Sequence, residues 1–185
     1  MQNRTKRDLE VSLKRLLLRK PLDKITISEL TDDCGISRMT FYYHFKDIYD
    51  LVEWSCIEDA RTALQGKKTY DTWQEGLLQI FEAVYENKPF IMNVYRVVSR
   101  ERIEHFLFHV TSDLIRGVVD EQAVGIEIEE EKLQFIADFY MYSFVGVMLS
   151  WIERGMKADY EQLVCNVAST MRGNIANSIY NFCEA

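Results

Sequence analysis

Between Leu30 and Lys46 the chain runs Leu-Thr-Asp-Asp-Cys-Gly-Ile-Ser-Arg-Met-Thr-Phe-Tyr-Tyr-His-Phe-Lys. Two helix starts and one tight turn are written into this stretch and the residues just before it. Thr26 and Glu29 stand at capping-box spacing: the hydroxyl accepts from a free backbone N–H, and the carboxylate reaches back. They open a short helix that stops at Gly35, a residue that takes a left-handed conformation at no steric cost. Ser37 is placed to cap a second short helix over residues 38–44. Apolar positions fall at Ile27, Leu30, Ile36 and Phe41, with Cys34 before the turn. Two short helices that cross over a tight turn and share one small core make a helix-turn-helix.

In that motif the second helix projects its first side chains into a major groove, while the first helix crosses the backbone. The set left for the outside is Ser37, Arg38, Met39, Thr40, Tyr42, Tyr43 and His44. These types suit DNA. An Arg can fork onto guanine, a Thr methyl fits thymine, and hydroxyls meet phosphate oxygens.

The charge distribution agrees once it is divided. The chain of 185 residues carries a net charge of -7, yet residues 1–46 hold 10 Lys and Arg against 6 Asp and Glu. That is +4 on the first segment and -11 on the rest. A basic segment facing a polyanion and an acidic, solubilising body account for the asymmetry. Several other classes drop out. With 8 Gly and 2 Pro, turn signals are too few for a sandwich or barrel. The cysteines (Cys34, Cys56, Cys165, Cys183) are scattered and read as reduced thiols. There is no Gly-rich phosphate loop, nucleophile elbow or H-E-x-x-H, so no enzyme and no cofactor are expected. His105 and His109 share a helix face but have no further metal ligand near them in sequence. The opening MQNRTKRD is polar with no apolar run after it, and the uncharged stretch Phe139–Ile152 is shorter than the ~20 residues a spanning helix needs. A cytoplasmic protein without membrane contact is expected.

Outward from the motif the pattern is helical almost throughout. Leu9, Leu13, Leu16 and Leu17 mark a first helix, with Thr5 as its expected cap and an end near Pro21. A fourth helix, capped by Asp47, runs through Leu51, Trp54 and Ile57 toward Leu64. A loop follows at Gly66–Thr69. Longer helical patterns fall near residues 70–86, 89–122 with a break near Ser99, 129–154 and 159–183. The expected fold is all-α: a three-helix helix-turn-helix head over residues 1–50 and an antiparallel helical bundle over 51–185, assembled as a homodimer.

The segment from Leu30 to Lys46 closely resembles the DNA-binding signature of TetR-family transcriptional regulators. Gly35, Ser37, Thr40, Tyr42, His44 and Phe45 all fall in step with it. The resemblance covers about residues 3–55. It implies a homodimer on a double-stranded operator. Thr26 and Ser28 would touch phosphates, and Arg38, Met39 and Thr40 would approach base edges. Tyr42, His44 and Lys46 would sit at the backbone, Tyr43 could touch either, and Phe45 would be core. Two positions depart from the family pattern: Thr31 stands where a small residue is common, and Ile48 where a Lys is common. Tyr70–Trp73, Asn87–Phe90 and Val98–Arg102 loosely resemble the subgroup associated with dihydroxyacetone kinase genes. Some regulators there resemble activators that work with a protein partner, so repression and activation both stay open.

The body is rich in aromatics. The resemblance implies an effector cavity there, for which Trp73, Tyr95, His109, Tyr140 and Phe144 are the candidate lining; aromatics at helical spacing serve a filled core equally well. A run that is apolar all round, such as Phe139–Ile152, must be buried. With Phe139, Ser143, Gly146 and Ser150 on it, and Leu163, Val167, Met171 and Ile175 on the final helix, it is the candidate dimer interface.

Overall fold

The computed structural model describes residues 2–63 and 72–183, and these carry ten α-helices and no strand. They are α1 (Gln2–Leu17), α2 (Ile27–Cys34), α3 (Arg38–His44), α4 (Ile48–Ala63), α5 (Trp73–Glu86), α6 (Lys88–Val97), α7 (Arg100–Gln122), α8 (Glu130–Glu153), α9 (Tyr160–Met171) and α10 (Asn174–Cys183), with a 3-10 turn at Leu22–Lys24. The loop expected at Gly66–Thr69, with Leu64, Tyr70 and Asp71, lies outside the described residues.

Two local expectations are corrected. Thr5 is not a cap, because α1 already begins at Gln2. The final helical pattern is two helices: Gly173 takes a φ of 74°, a left-handed conformation that stops α9 and lets α10 restart. The break expected near Ser99 is present. There the Ser99 carbonyl accepts from the N–H groups of Arg102 (3.1 Å) and Ile103 (3.2 Å) as α7 begins.

The chain forms two compact units. The first comprises residues 1–59 and 87–103, the second residues 60–86 and 104–185. The boundary drawn at residue 50 on functional grounds therefore falls inside α4. In the first unit Leu9, Leu13 and Leu17 of α1 meet Leu30, Phe41, Phe45, Leu51 and Val52 in one core. Phe90 and Val94 of α6 complete it, and the Asn93 side chain donates to the Leu17 carbonyl at 3.3 Å. Pro89 sits in the first turn of α6, where a missing N–H costs nothing. Thr31, buried, directs its hydroxyl to the carbonyls of Ile27 and Ser28, both at 3.0 Å, so it fits without an orphaned polar group. Ile48 packs against the same core.

A polar cluster joins α1 to α4. Glu10, only 4% exposed, accepts from Lys14 (2.8 Å), Arg7 (2.9 Å) and the buried Ser55 hydroxyl (3.1 Å). Lys14 also reaches Asp59 at 2.7 Å, and Arg7 reaches Glu58 at 2.9 Å. Burial pushes the Glu10 carboxyl upward, but Lys14, Arg7 and Ser55 outweigh it and hold the group below the usual carboxylate range. Lys6 lies over the rings of Phe45 (5.3 Å) and Trp54 (5.4 Å), a cation–π contact that adds to the same junction.

The second unit packs α5 on α9 and α8 on α10. Its aromatic centre is Phe81, edge-on to Phe144 (5.9 Å) and against Trp151 (5.1 Å). The Trp151 N–H donates to the Ala158 carbonyl at 2.8 Å, so the indole is buried with its one polar atom satisfied. α8 is 24 residues long, longer than its uncharged run, and by length and composition alone it would cross a membrane. Half of its most apolar window is buried inside the protein instead, as in a core helix.

Two outcomes are expected. Phe41→Ala should destabilise the protein by about 3–5 kcal/mol, the usual cost of emptying a core aromatic site, read by denaturant unfolding. Glu10 binds its proton less readily in the folded than in the unfolded chain, so its contribution is complete above its unfolded value (~4.3) and lost as pH falls through the lowered folded value. Melting temperatures should therefore fall on acidification below that value, and Glu10→Gln should flatten the acid limb.

Candidate nucleic-acid interface

The motif is built by local hydrogen bonds. The Thr26 Oγ1 accepts from the Glu29 N–H at 3.3 Å, and the Glu29 carboxylate accepts from the Thr26 N–H at 2.9 Å. Lys20, then Thr26, holds the Glu29 carboxyl down at about 2. At the other end of α2, Gly35 adopts φ 64°, ψ 33°, and the Ile36 N–H closes on the Thr31 carbonyl at 3.0 Å. A side chain on that residue would be strained by conformation alone, since nothing crowds the space a Cβ would occupy. Ser37 then caps α3, its Oγ accepting from the Thr40 N–H at 3.1 Å.

α3 has one buried residue, Phe41, which anchors it to the core. The opposite side is open: Met39 is 79% exposed, Tyr43 71% and Tyr42 49%, with Arg38 and Lys46 also exposed. Thr40 and His44 are half-buried. Tyr42 lies edge-on to Phe41 at 5.7 Å, and Tyr43 edge-on to His44 at 5.0 Å, so both phenols stand on fixed rings. The Lys46 N–H donates to Asp50 (2.9 Å), whose own N–H donates to Asp47 (2.8 Å), turning the chain into α4.

The cations of the first segment divide by partner. Arg7, Lys14, Arg15 and Lys20 are held in ion pairs with Glu10, Glu58, Asp59, Asp33 and Glu29. Arg38 and Lys46 make no ion pair among the described residues. These two cations flank α3 and stand where they can meet phosphate or base. Thr26 and Ser28 stand at the start of α2, but the Thr26 hydroxyl is itself bonded to Glu29 at 2.9 Å.

The candidate effector lining is divided between the two units. Tyr95 belongs to α6 in the first unit, whereas the other four residues belong to the second. His109 is exposed and Trp73 is buried in α5, while Tyr140 and Phe144 line one space together. Helical spacing shows which residues share a face but not which faces meet, so nothing in the sequence separates these cases. Among the described residues no three His, Cys, Asp or Glu side chains cluster as a metal site would require.

Tyr140 and Phe144 line a half-open groove of about 580 Å³ between α8, α9 and α10. Phe139, Ser143, Leu163, Val167 and Met171 line it too. Gly146 is exposed farther along α8, and Ser150 half-buried. Ile175 is a correction: it is 2% exposed within the single chain and offers nothing to a second copy. The break at Gly173 resets the helical phase, so spacing counted across it does not describe one stripe. Beside the expected Phe139, spacing did not point to Phe135 and Tyr142; all three are about three-fifths exposed on α8.

Comparison with known proteins follows this geometry. Residues 13–53 match the description of bacterial regulatory proteins of the tetR family, and residues 71–173 that of a transcriptional regulator C-terminal region. The chain is 23% identical over 164 residues to the HTH-type dhaKLM operon transcriptional activator DhaS of Lactococcus lactis, covering 86% of this chain and 87% of that protein. It is 24% identical over 166 residues to the uncharacterized HTH-type transcriptional regulator YerO of Bacillus subtilis, covering 80% of this chain and 57% of that one. The solved structure of the dihydroxyacetone kinase operon activator DhaS shares the fold with a TM-score of 0.72 at 21% identity, covering 92% of this chain and 96% of that one. A tetR-family regulator from Streptomyces coelicolor does so with a TM-score of 0.60 at 15% identity, over 97% and 90% of the two chains. The chain belongs to the TetR family of transcriptional regulators, proteins that bind DNA and are not enzymes.

Proposed function

We propose that the protein acts as a cytoplasmic homodimer on a double-stranded operator, with α3 of each copy in a major groove. The observation that carries this reading is the two-sidedness of α3: Phe41 fully buried, and Arg38, Met39, Tyr42 and Tyr43 open to solvent. Arg38, Met39 and Thr40 approach base edges. Ser37, Tyr42, His44 and Lys46, with Thr26 and Ser28, hold the DNA backbone, and Tyr43 is placed to touch either base edges or backbone. The functional division of the chain near residue 50 separates these contacts from a body that receives the signal.

The second copy is proposed to seat on the α8–α10 face. A stripe of exposed aromatics beside a groove is a surface that a single chain leaves unfinished. Two reading helices one DNA turn apart, ~34–36 Å, then meet a site long enough to be specific.

Control is proposed to enter through the body. A small effector held there is one reading. The other is control by a protein partner, with activation as the outcome. The activator role in the name of the similar protein DhaS supports the second reading.

Lys46→Ala should weaken binding to all duplexes alike and lower the slope of log affinity against log salt by about one unit. Arg38→Ala should instead relax preference at particular base pairs, at a cost of ~1–3 kcal/mol. Titrations of selected and scrambled duplexes over a salt series separate the two; a uniform loss for Arg38→Ala would confine it to positioning. Val167→Asp should yield monomers by light scattering, and an intact dimer would remove the groove from the interface.

A further inference from the structure

The first unit owes its positive charge to a segment far along the chain. Residues 1–59 hold 10 Lys and Arg against 11 Asp and Glu. Residues 87–103 fold into the same unit and carry Lys88, Arg96, Arg100 and Arg102 against Glu101 alone. The first unit is therefore +2 and the second -9. A head that meets a polyanion thus takes its excess of cations from α6 and the start of α7, outside the helix-turn-helix.

One of these cations is held next to the turn between α3 and α4. Arg102 lies over the Tyr49 ring, its guanidinium carbon 5.7 Å from the ring centre. Tyr49 stands in the first turn of α4, three residues after Lys46. Arg102 is exposed and makes no ion pair among the described residues. The two acids of that turn are engaged with its backbone: Asp50 accepts from the Lys46 N–H at 2.9 Å, and Asp47 from the Asp50 N–H at 2.8 Å. A guanidinium stacked on an aromatic face keeps its N–H edge available, and that planar fork matches two oxygens of one phosphate. Stacking also restricts the side chain before a duplex arrives, which lowers the ordering cost of the contact.

We infer that Arg102 is a phosphate contact of the operator complex, supplied by α7 and not by the helix-turn-helix. It meets the DNA backbone beside Lys46, fixes the placement of the head and reads no base. This inference rests on the operator-binding reading above and extends that surface to a segment of the chain distant in sequence.

The test uses the full-length protein and a duplex enriched from a random library by binding to it. Arg102→Gln removes the charge and should lower the slope of log affinity against log salt by about one unit, on selected and scrambled duplexes alike. Arg102→Lys keeps the charge and should keep the slope. Each phosphate of the selected duplex is then replaced singly by a neutral methylphosphonate. At one position per half-site the replacement should weaken the unmodified protein and leave Arg102→Gln unaffected; the penalties at all other positions should persist in both. Arg102 is exposed, so both variants should fold, which melting curves check. A folded Arg102→Gln with the slope and every methylphosphonate penalty unchanged would overturn the contact, whether or not affinity fell, and would confine Arg102 to supporting Tyr49. Operator binding would then still stand. Failure to enrich any duplex would overturn operator binding itself, and this inference with it.

Discussion

Burial of Phe41 is the constraint on which the DNA-binding head depends. α3 has seven residues, too few to form by itself, since an isolated helix of that length lacks the hydrogen bonds to offset its nucleation cost. Its stability comes from one ring driven into the core of α1, α2 and α4, with a serine cap at one end. Once Phe41 points inward, helical geometry sends Met39, Tyr42 and Tyr43 outward, and Arg38 at the first turn is exposed as well. The left-handed Gly35 sets the turn that brings this ring to that core. One buried side chain and one backbone conformation therefore decide what a duplex meets.

Electrostatics refine the picture that composition draws. A net of +4 over residues 1–46 is modest, and half of those cations are engaged in ion pairs: Arg7, Lys14, Arg15, Lys20 and Lys24. Arg7 and Lys14 neutralise the buried Glu10, and Lys20 and Arg15 pair with the acids of α2. Net charge was the weaker guide. Arg38 and Lys46, at either side of α3 and without an ion pair among the described residues, put positive charge beside the reading face.

The head was legible because its signals are local. A capping box, a Gly turn, a serine cap and a short apolar spacing each act within four residues, and α2 and α3 lie where those signals put them. What was illegible is non-local. Glu10 falls in an apolar helix as an apparent surface residue; only the approach of Ser55 and Asp59 from α4 turns it into a buried hub. Phe90 and Val94 look like body residues by position, yet they finish the head's core. Pro89 announced the start of α6 but not where that helix would dock. Gly173 was visible, and a glycine in a long apolar pattern is often tolerated; its positive φ is what splits α9 from α10 and moves Ile175 inside.

The Glu10 cluster also limits how a signal can reach the reading helix. α4 is bound to α1 at Ser55, Glu58 and Asp59, close to the end of its share of the first unit, and at its start Ile48 and Leu51 sit on the core. Bending α4 between those points would strip charged partners from a carboxylate with almost no access to water. Breaking a buried ion pair in that way commonly costs several kcal/mol. Typical couplings between sites are 1–3 kcal/mol, which is less than that cost. Within the first unit α1 through α4 are therefore held together as one body as far as Asp59.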